Sequence, residues 1–469
     1  MKVNRLKITG IIIPGVILAI MMQSCGVAKQ YTSPKIETEK LIRYDASMDT
    51  LTIADIPWQE YFTDSLLQKL ITEGLEQNLD LQMAVTRISQ AEANLSIARA
   101  AFFPSVDLVG NVSHYRNSNG NDGRKVLGYH GEQYTLAIST SWELDIWGKL
   151  NNQSKARYAQ FMNTHAYRNL VQTSLIANIA TSYYSLLALD EQLRIIHETV
   201  ELLEETTATM EAMMQAGLLN GASVQQSKAL LYNTRINIPE LESQIRRIEN
   251  SISLMLGRNP EAIQRTKFEE QVISANPGFG IPVHMLSRRP DVQQAELSFR
   301  SAFELTYAAK AMFYPALTLG TGSSIGYQTT ALSDFFKPEN IFANILGGLT
   351  QPVFNRNRLK GNLKIAEAQR EEALLNFKQT VLNAGKEVSD ILFSMDASFQ
   401  KNETRIMQVE ALSVSVMFTQ ELLKAGEADY TEVLLSEQNL LQAKMSQVND
   451  KLEQLHYNTM LYKALGGGY

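Results

Sequence analysis

The stretch Ile97–Gly110 reads IARAAFFPSVDLVG, and it holds the end of a helical pattern followed by the start of a strand pattern. A second stretch, Ala308–Thr321, reads AAKAMFYPALTLGT and has the same order of residue types. The two stretches align on Pro104 and Pro315 and share alanines, a basic residue, phenylalanine, proline and leucine. The same helix-to-strand junction therefore occurs twice in one chain, and this repetition decides the fold class.

A helix with a regular apolar seam precedes each junction. Its apolar residues are spaced alternately by three and four. In the first copy they are Leu81, Ala84, Ile88, Ala91, Leu95, Ala98 and Phe102, and in the second Val292, Ala295, Phe299, Ala302, Thr306, Ala309 and Phe313. Large residues at one seam position and alanine at the other are typical of closely packed helix pairs.

Strands follow each proline, because the apolar period changes there from 3.5 to 2. The pattern predicts a strand pair at about 104–144 and another at about 315–354. The four predicted strands have roughly 12 to 14 residues each, which is long enough to cross a bilayer when the strands are tilted.

A very long helical pattern follows each strand pair, from Trp147 to Gln215 and from Asn355 to Lys424. About 70 residues at 1.5 Å per residue extend for roughly 100 Å. Each pattern ends at Ala-Gly and is followed by a predicted turn, at 217–223 and at 426–431. A further helix then ends at Gly257 in the first copy and at Gly466 in the second, and glycine is the expected residue at a helix end.

These patterns predict an internal duplication. Repeat 1 covers 58–257 and repeat 2 covers 284–469, each with a helix, a strand pair, a long helix, a turn and a helix. The connector 258–283 contains proline and lies between them. The predicted fold class is a mostly α, α+β membrane protein.

The N-terminus has the pattern of a lipoprotein signal peptide over 1–24. Three basic residues precede the apolar run ITGIIIPGVILAIMM, which ends shortly before Cys25. We expect lipid on Cys25, with 25–57 as a polar tether. Gln23 departs from the small residue usual before such a cysteine, and a plain secretory signal is the alternative.

Composition excludes several classes of protein. The net charge of −6 argues against a nucleic-acid partner. A single cysteine excludes a disulfide or a thiolate metal site within one chain. The sequence shows no Ser-His-Asp, paired-carboxylate or HExxH arrangement. We therefore expect no catalytic residue, no metal site, no enzyme activity and no cofactor apart from the covalent lipid.

Four amphipathic strands cannot close a membrane barrel, and lipid does not tolerate an open sheet edge. Two chains would supply eight strands, whose barrel interior is filled by side chains, whereas three would supply twelve. The chain is therefore expected to contribute its four strands to an oligomeric barrel, and the helices that continue from the strands would form a second tube beneath it.

Several segments of the chain resemble the TolC-like outer-membrane efflux factors, in the lipoprotein subgroup paired with resistance-nodulation-division pumps. The segments are WELDIWGKL from Trp142, INIPELESQIRRIENSISLMLGRNP from Ile236, LSRRPDVQQAE from Leu286, FYPALTLGTG from Phe313, LTQPVFNRNRL from Leu349 and AGEADYTEVLLSEQNLL from Ala425. The resemblance implies a lipid-anchored homotrimer in the outer membrane of a Gram-negative bacterium. Its fold would be a trimeric twelve-stranded outer-membrane β-barrel, with four strands per chain, continued by a long periplasmic α-helical barrel that extends into the periplasm. It also implies passive conduction of exported solutes, with a periplasmic adaptor (membrane fusion) protein and an inner-membrane pump as partners.

The resemblance further implies that acidic residues near the second turn ring a periplasmic aperture, which by position would be Asp429 with Glu427 beside it. Three carboxylates crowded on a three-fold axis would attract cations. The alternative is a solvated turn in which Asp429 caps the last helix. In repeat 1 the corresponding Leu218 and Asn220 are uncharged, so an acidic ring would come from repeat 2 alone.

Two other functions stay open at this point. Within the channel class, a type I protein-secretion channel of the outer membrane is the nearest alternative. In a different class, a lipid-anchored periplasmic coiled-coil scaffold would explain the apolar seams and Cys25. Such a scaffold would leave the four alternating strands and their aromatic junctions unexplained.

Overall fold

The structure is a computed structural model, and it describes residues 29–34, 41, 56–115, 131–272 and 288–468. The predicted signal peptide, the acylation site Cys25 and most of the predicted tether lie outside the described residues. So do 116–130, in the first predicted strand pair, and 273–287, which include part of the predicted connector.

Helices account for most of the described residues, and the elements follow one another in two similar series. The first series is α1 Trp58–Tyr61, α2 Ser65–Gln77, α3 Leu79–Ala100, β1 Ser105–Tyr115, β2 Gly131–Leu144, α4 Lys149–Gln215 and α5 Gly221–Met255. The second series is α6 Pro290–Ala311, β3 Ala316–Thr329, β4 Ile341–Asn344, β5 Gly347–Thr350, α7 Arg358–Ala425 and α8 Tyr430–Ala464. Three short 3-10 segments lie at Phe268–Glu270, Leu332–Asp334 and Pro338–Asn340.

The chain divides into two compact units. Of the described residues, the first unit contains the sheet and the adjoining ends of the helices, within 88–164 and 295–377, together with 29–34. The second unit contains the described residues within 56–87, 165–294 and 378–468. The long helices α4 and α7 each contribute residues to both units.

All strands of the first unit belong to one antiparallel sheet. The strand order is β1-β2-β3-β4, and β5 also pairs with β3. The two predicted strand pairs are thus present as β1 with β2 and as β3 with β4 and β5. Sequence patterns did not show that β2 also pairs with β3, from Tyr134 with Thr329 to Leu144 with Leu317. This pairing joins the two pairs into a continuous surface.

The prediction of four strands per chain is wrong in its last member, because the sheet has five strands within the described residues. β4 and β5 are separated at Ile345 and Leu346. The Leu346 carbonyl accepts from the Gly320 N–H (2.8 Å), and the Leu346 N–H donates to the Ser323 hydroxyl (2.6 Å). Gly320 has φ +78°, a conformation open to glycine, so a bulge in β3 and the interruption opposite it occur together.

The core of the second unit lies along α4. Ile176, Ile179, Tyr183 and Leu186 on this helix are fully buried. α2 packs closely against it, because a Cβ on Gly74 would lie 2.6 Å from the Ile179 Cδ1. A second apolar cluster joins α4 to α5 through Ile196, Leu203, Leu231 and Leu241.

Glycine ends each of four long helices in the left-handed conformation. The residues and their φ angles are Gly217 (+76°), Gly257 (+68°), Gly426 (+73°) and Gly466 (+88°). At the first of these ends, the Gly217 N–H donates to the Met214 carbonyl and the Leu218 N–H donates to the Met213 carbonyl. This Schellman pattern satisfies carbonyls that the helix leaves unpaired.

Asp64 caps α2. Its carboxylate accepts from the N–H groups of Leu66 (2.8 Å) and Leu67 (3.2 Å). The same carboxylate accepts from the hydroxyl groups of Tyr183 (2.9 Å) and Thr266. Partial burial raises the pKa of the Asp64 carboxyl, but the hydrogen bonds outweigh it and hold the pKa below its usual value. One ionised side chain therefore joins α2, α4 and the segment after α5.

We expect Asp64→Ala to lower the free energy of unfolding by ~2–4 kcal/mol, because it removes a helix cap and hydrogen bonds to a charged group. The midpoint of thermal unfolding in detergent, followed by far-ultraviolet circular dichroism, measures this effect. Glu76→Ala, at an exposed acid of the same helix, is the control. Equal midpoints for the two variants would contradict the bracing role of Asp64.

Candidate channel surfaces: the sheet and the helical turns

The two faces of the sheet differ in polarity. On one face Leu108 lies opposite Ile138, which lies opposite Ile325, which in turn lies opposite Ala343. Leu108, Ile138 and Ile325 are 72%, 49% and 56% exposed, so the described residues of the single chain leave this apolar row largely uncovered. Successive residues of a strand point to opposite faces, so the neighbouring row belongs to the other side of the sheet.

That neighbouring row is polar across four strands. Asp107 lies opposite Ser139, Ser139 opposite Ser324, and Ser324 opposite Asn344. A sheet with an exposed apolar face and a hydrophilic face is typical of transmembrane strands, in which one side meets lipid and the other lines a lumen. The sheet is therefore built to separate hydrocarbon from water.

Aromatic side chains gather where β3 ends, at the far end of the sheet from the helices. The Tyr327 ring lies 5.6 Å from that of Phe336, and the Phe335 ring lies 5.1 Å from Phe336. Both phenylalanines follow the 3-10 segment Leu332–Asp334. The alternating strand pattern does not reveal this cluster, although two adjacent phenylalanines in a polar stretch are a signal for it. Aromatic rings at a sheet end suit the boundary between lipid and water.

Two tryptophans join the sheet to the helices. The Trp142 indole N–H donates to the Phe102 carbonyl (2.8 Å), and the Trp147 indole N–H donates to the Pro315 carbonyl (2.7 Å). The Trp147 ring also stacks on Tyr314, with ring centroids 4.8 Å apart. Trp142 lies near the end of β2, and Trp147 lies just before α4. Their indole groups bind the protein backbone there and fasten each helix end beside a strand.

The two turns between the long helices share one capping chemistry and differ in charge. At the first turn the Asn220 side chain accepts from the Ser223 N–H (3.0 Å). At the second, the Asp429 carboxylate accepts from the Thr431 N–H (3.3 Å). The side chains of Asp429 and Glu427 are both exposed. The capping role proposed for Asp429 is thus confirmed, whereas its role at an aperture stays a prediction.

A buried acid lies two turns into the last helix. Glu437 in α8 is 3% exposed, and its carboxylate accepts from the Thr206 hydroxyl of α4 (2.8 Å) and the Gln420 amide of α7 (2.9 Å). Its other oxygen has no partner among the described residues. Burial raises the pKa of the Glu437 carboxyl above its ordinary value, although the two hydrogen bonds act in the opposite direction.

The spacing of Glu437 with its apolar neighbours in the sequence is a signal of its burial. Val433, Glu437 and Leu440 are buried in α8 and follow the spacing i, i+4, i+7. An acid in phase with apolar residues on a helix marks a buried polar contact. Here the contact joins three helices close to the second turn.

We expect Glu437→Gln to stabilise the protein at neutral pH, because the amide keeps the acceptor oxygen and removes the cost of burying a charge. An acid whose pKa rises on folding weakens the folded state as the pH increases through the raised pKa. The gain in thermal midpoint should therefore be greater at pH 8 than at pH 4.5, by at least about 1 °C.

Thermal midpoints across that pH range measure the effect, with Glu410→Gln at an exposed acid of α7 as the matched control. A gain for Glu437→Gln that does not change with pH would show that the carboxyl carries no charge penalty.

The described residues hold neither a metal-binding cluster nor a membrane-spanning helix. No three His, Cys, Asp or Glu side chains within the described residues lie together in a way that could hold a metal ion. Among the helices in this part of the chain, none is both long and apolar enough to cross a membrane.

Comparison with known proteins agrees with a channel class. The family model described as outer membrane efflux protein matches residues 70–258 and 281–467. The probable outer membrane lipoprotein SilC of Salmonella typhimurium is 27% identical over 460 residues, covering 96% of this chain and 97% of that protein. The pyoverdine export outer membrane protein OpmQ of Pseudomonas putida is 28% identical over 422 residues, covering 89% of each.

The fold agrees with solved channel structures. The cation efflux system protein CusC of Escherichia coli (strain K12) is 26% identical over 459 residues, covering 96% of this chain and 98% of that protein. A crystal structure of CusC superposes with a TM-score of 0.83 at 25% identity, covering 95% of this chain and 100% of that one.

The chain belongs to the outer membrane efflux protein family, and the predicted likeness to the TolC-like efflux factors is confirmed. It is an exit duct for exported solutes in the outer membrane of a Gram-negative bacterium. This family consists of channels rather than enzymes.

Proposed function

We propose that three copies of this chain close one transmembrane barrel, which opens into a helical duct through the periplasm. The two-faced sheet supports this proposal most directly. Its apolar row at Leu108, Ile138 and Ile325 suits lipid, and its polar row at Ser139 and Ser324 suits water. Solutes would pass along the polar face without any chemical step.

The number of subunits follows from the need to pair both outer edges of the sheet. The sheet has two outer edges, one along β1 and one along β4 and β5. Unpaired edges are not stable in hydrocarbon, so each must pair with another chain. Counting β4 and β5 as one interrupted strand, three chains supply twelve strands, which leave room for a water-filled lumen.

We also propose that the two series of elements arose by duplication, as repeat 1 (58–257) and repeat 2 (284–469). The family model matches the chain in two segments of similar length, which supports this proposal. Paired residues in the two halves of the sheet support it as well. Ser105 pairs with Ser141, and Ala316 pairs with Thr350 at the corresponding place.

The N-terminus provides a second attachment to the membrane in this proposal. Lipid on Cys25 would hold the chain in the periplasmic leaflet of the outer membrane. The relative SilC carries the description of a probable outer membrane lipoprotein, which supports a lipid here.

The partners we propose are a periplasmic adaptor protein and an inner-membrane resistance-nodulation-division pump. The turns at Gly217 and Gly426 would face them, because these turns end the helices that lead away from the sheet. The relatives bear names that refer to cations and to pyoverdine, so one duct architecture serves unlike cargoes. We therefore assign the selection of cargo to the pump.

Single-channel conductance in a planar bilayer, combined with native mass in detergent, tests the proposed function. We expect a trimer that inserts and conducts weakly, with a preference for cations. A conducting trimer that also transported unfolded protein would favour the type I secretion channel. A monomer or dimer that never inserts would contradict the duct and favour the periplasmic scaffold.

The aperture proposal is tested by a substitution that keeps the helix cap. Asp429→Asn removes three carboxylates per trimer, yet asparagine already caps the first turn at Asn220. We expect the ratio of cation to anion permeability to fall at least about twofold, because a ring of acids attracts cations. The reversal potential in a salt gradient measures this ratio.

Glu403→Gln, at an exposed acid of α7 some six turns before the second turn, is the matched control. The single variant Asp429→Asn and the double variant Asp429→Asn/Glu427→Gln are both measured, because either acid can contribute to the cation preference. Unchanged permeability ratios in both would count against an acidic ring at the aperture.

A further inference from the structure

The two junctions between helix and sheet correspond residue by residue. In the first series, the Trp142 side chain donates to the Phe102 carbonyl (2.8 Å). In the second series, the Gln351 side chain donates to the Phe313 carbonyl (3.1 Å). The same backbone group is therefore held by the corresponding strand residue in each series, although tryptophan is replaced by glutamine.

A hydrogen bond and a ring contact of Trp147 join the first series of elements to the second. Trp147, just before α4, donates to the Pro315 carbonyl (2.7 Å) and stacks on Tyr314 at 4.8 Å. This contact lies between the strand end of β2 and the helix end that leads into β3. It accompanies the pairing of β2 with β3 inside the chain.

The corresponding contact for the other series is not formed among the described residues of the chain. By position, Arg356 corresponds to Trp147, and Phe103 and Pro104 correspond to Tyr314 and Pro315. The backbone supports the alignment, because Gly148 and Asn357, the next residues along, both have positive φ (+76° and +64°).

The side chains of Phe103 and Arg356 are both exposed. The Phe103 side chain is 73% exposed at the end of α3. The Arg356 side chain is also exposed, and it forms no hydrogen bond, ion pair or ring contact with any described residue. Arg356 has φ +44°, which non-glycine residues seldom adopt, so its backbone holds an unusual conformation.

The positions of these two residues at the sheet edges indicate what covers them. Phe103 immediately precedes β1, which forms one open edge of the sheet, and Arg356 follows β5 at the other open edge. When β1 of a second copy pairs with the outer edge of β4 and β5, Phe103 of that copy comes beside Arg356. The contact then repeats the one between Tyr314 and Trp147.

We propose that the Arg356 guanidinium of one chain packs on the Phe103 ring of a second copy and donates a hydrogen bond to the Pro104 carbonyl of that copy. This inference rests on the proposed trimer and names a contact at its subunit interface. A guanidinium suits the place because its planar group stacks on an aromatic ring while its N–H groups donate at the edge. It thus replaces both functions of the Trp147 indole.

Cross-linking tests the contact directly. Full-length protein with Phe103→Cys and Arg356→Cys is treated with a short bis-methanethiosulfonate reagent and run under denaturing conditions. We expect cross-linked dimers and trimers, whereas each variant with only one of the two substitutions should give far less of either product. The single variants also control for Cys25, which all of these proteins carry.

The outcomes separate this inference from the proposed function. If native mass shows a conducting trimer that yields no more cross-linked product than the single variants, the contact is wrong and the duct remains. If the unsubstituted protein is not a trimer, both the contact and the duct are wrong.

A second measurement does not depend on the cysteine variants folding well. The temperature at which the trimer dissociates in detergent should fall by several degrees in Arg356→Ala and return in Arg356→Trp, which copies the internal junction. Lys360→Ala removes another exposed cation at the start of α7 and is the matched control. Equal dissociation temperatures for Arg356→Ala and Lys360→Ala, or no recovery in Arg356→Trp, would overturn the assignment.

Discussion

The unpaired backbone at the two outer edges of the sheet is the constraint on which the rest of the structure depends. Each N–H or C=O group without a partner in hydrocarbon costs several kcal/mol. β1 has eleven residues, and β4 and β5 together span a similar length, so the total for an isolated chain would exceed the stability of an ordinary domain. The apolar row through Leu108 and Ile138 nevertheless requires lipid. These two demands are compatible only when the edges close on other copies of the chain.

Hydrogen bonds at the junction between sheet and helices fix the strand ends relative to the helix ends. Trp142 and Trp147 bind backbone carbonyl groups at 2.8 and 2.7 Å, so each strand end lies at a defined position beside a helix end. In the barrel that we propose, closure of the strands would therefore set the spacing of the helix ends beside them. The second series keeps the backbone acceptor at Phe313 while the donor changes to Gln351, which shows that the geometry matters more than the residue type.

Features that depend on neighbouring residues in the chain could be predicted from the sequence, and features that depend on distant partners could not. The change of period at Pro104, the cap at Asp64 and the helix end at Gly426 are local, and the structure has all three. The division of β4 from β5 depends on glycines of β3, more than twenty residues away. The spacing of Glu437 with its apolar neighbours indicates a buried acid, but the identity of its partner Thr206, in another helix, could not be read from the sequence.

The difference between the two helical turns separates a structural role from a functional one. An N-cap needs a side-chain oxygen that accepts from a backbone N–H, and Asn220 meets this need without a charge. The helix therefore does not require a carboxylate at Asp429, although a negative charge near a helix N-terminus is favourable by a few tenths of a kcal/mol or more. Glu427 adds a second exposed charge that caps nothing. Charge at the second turn alone thus exceeds what helix capping needs, and this excess is the basis of the aperture that we propose.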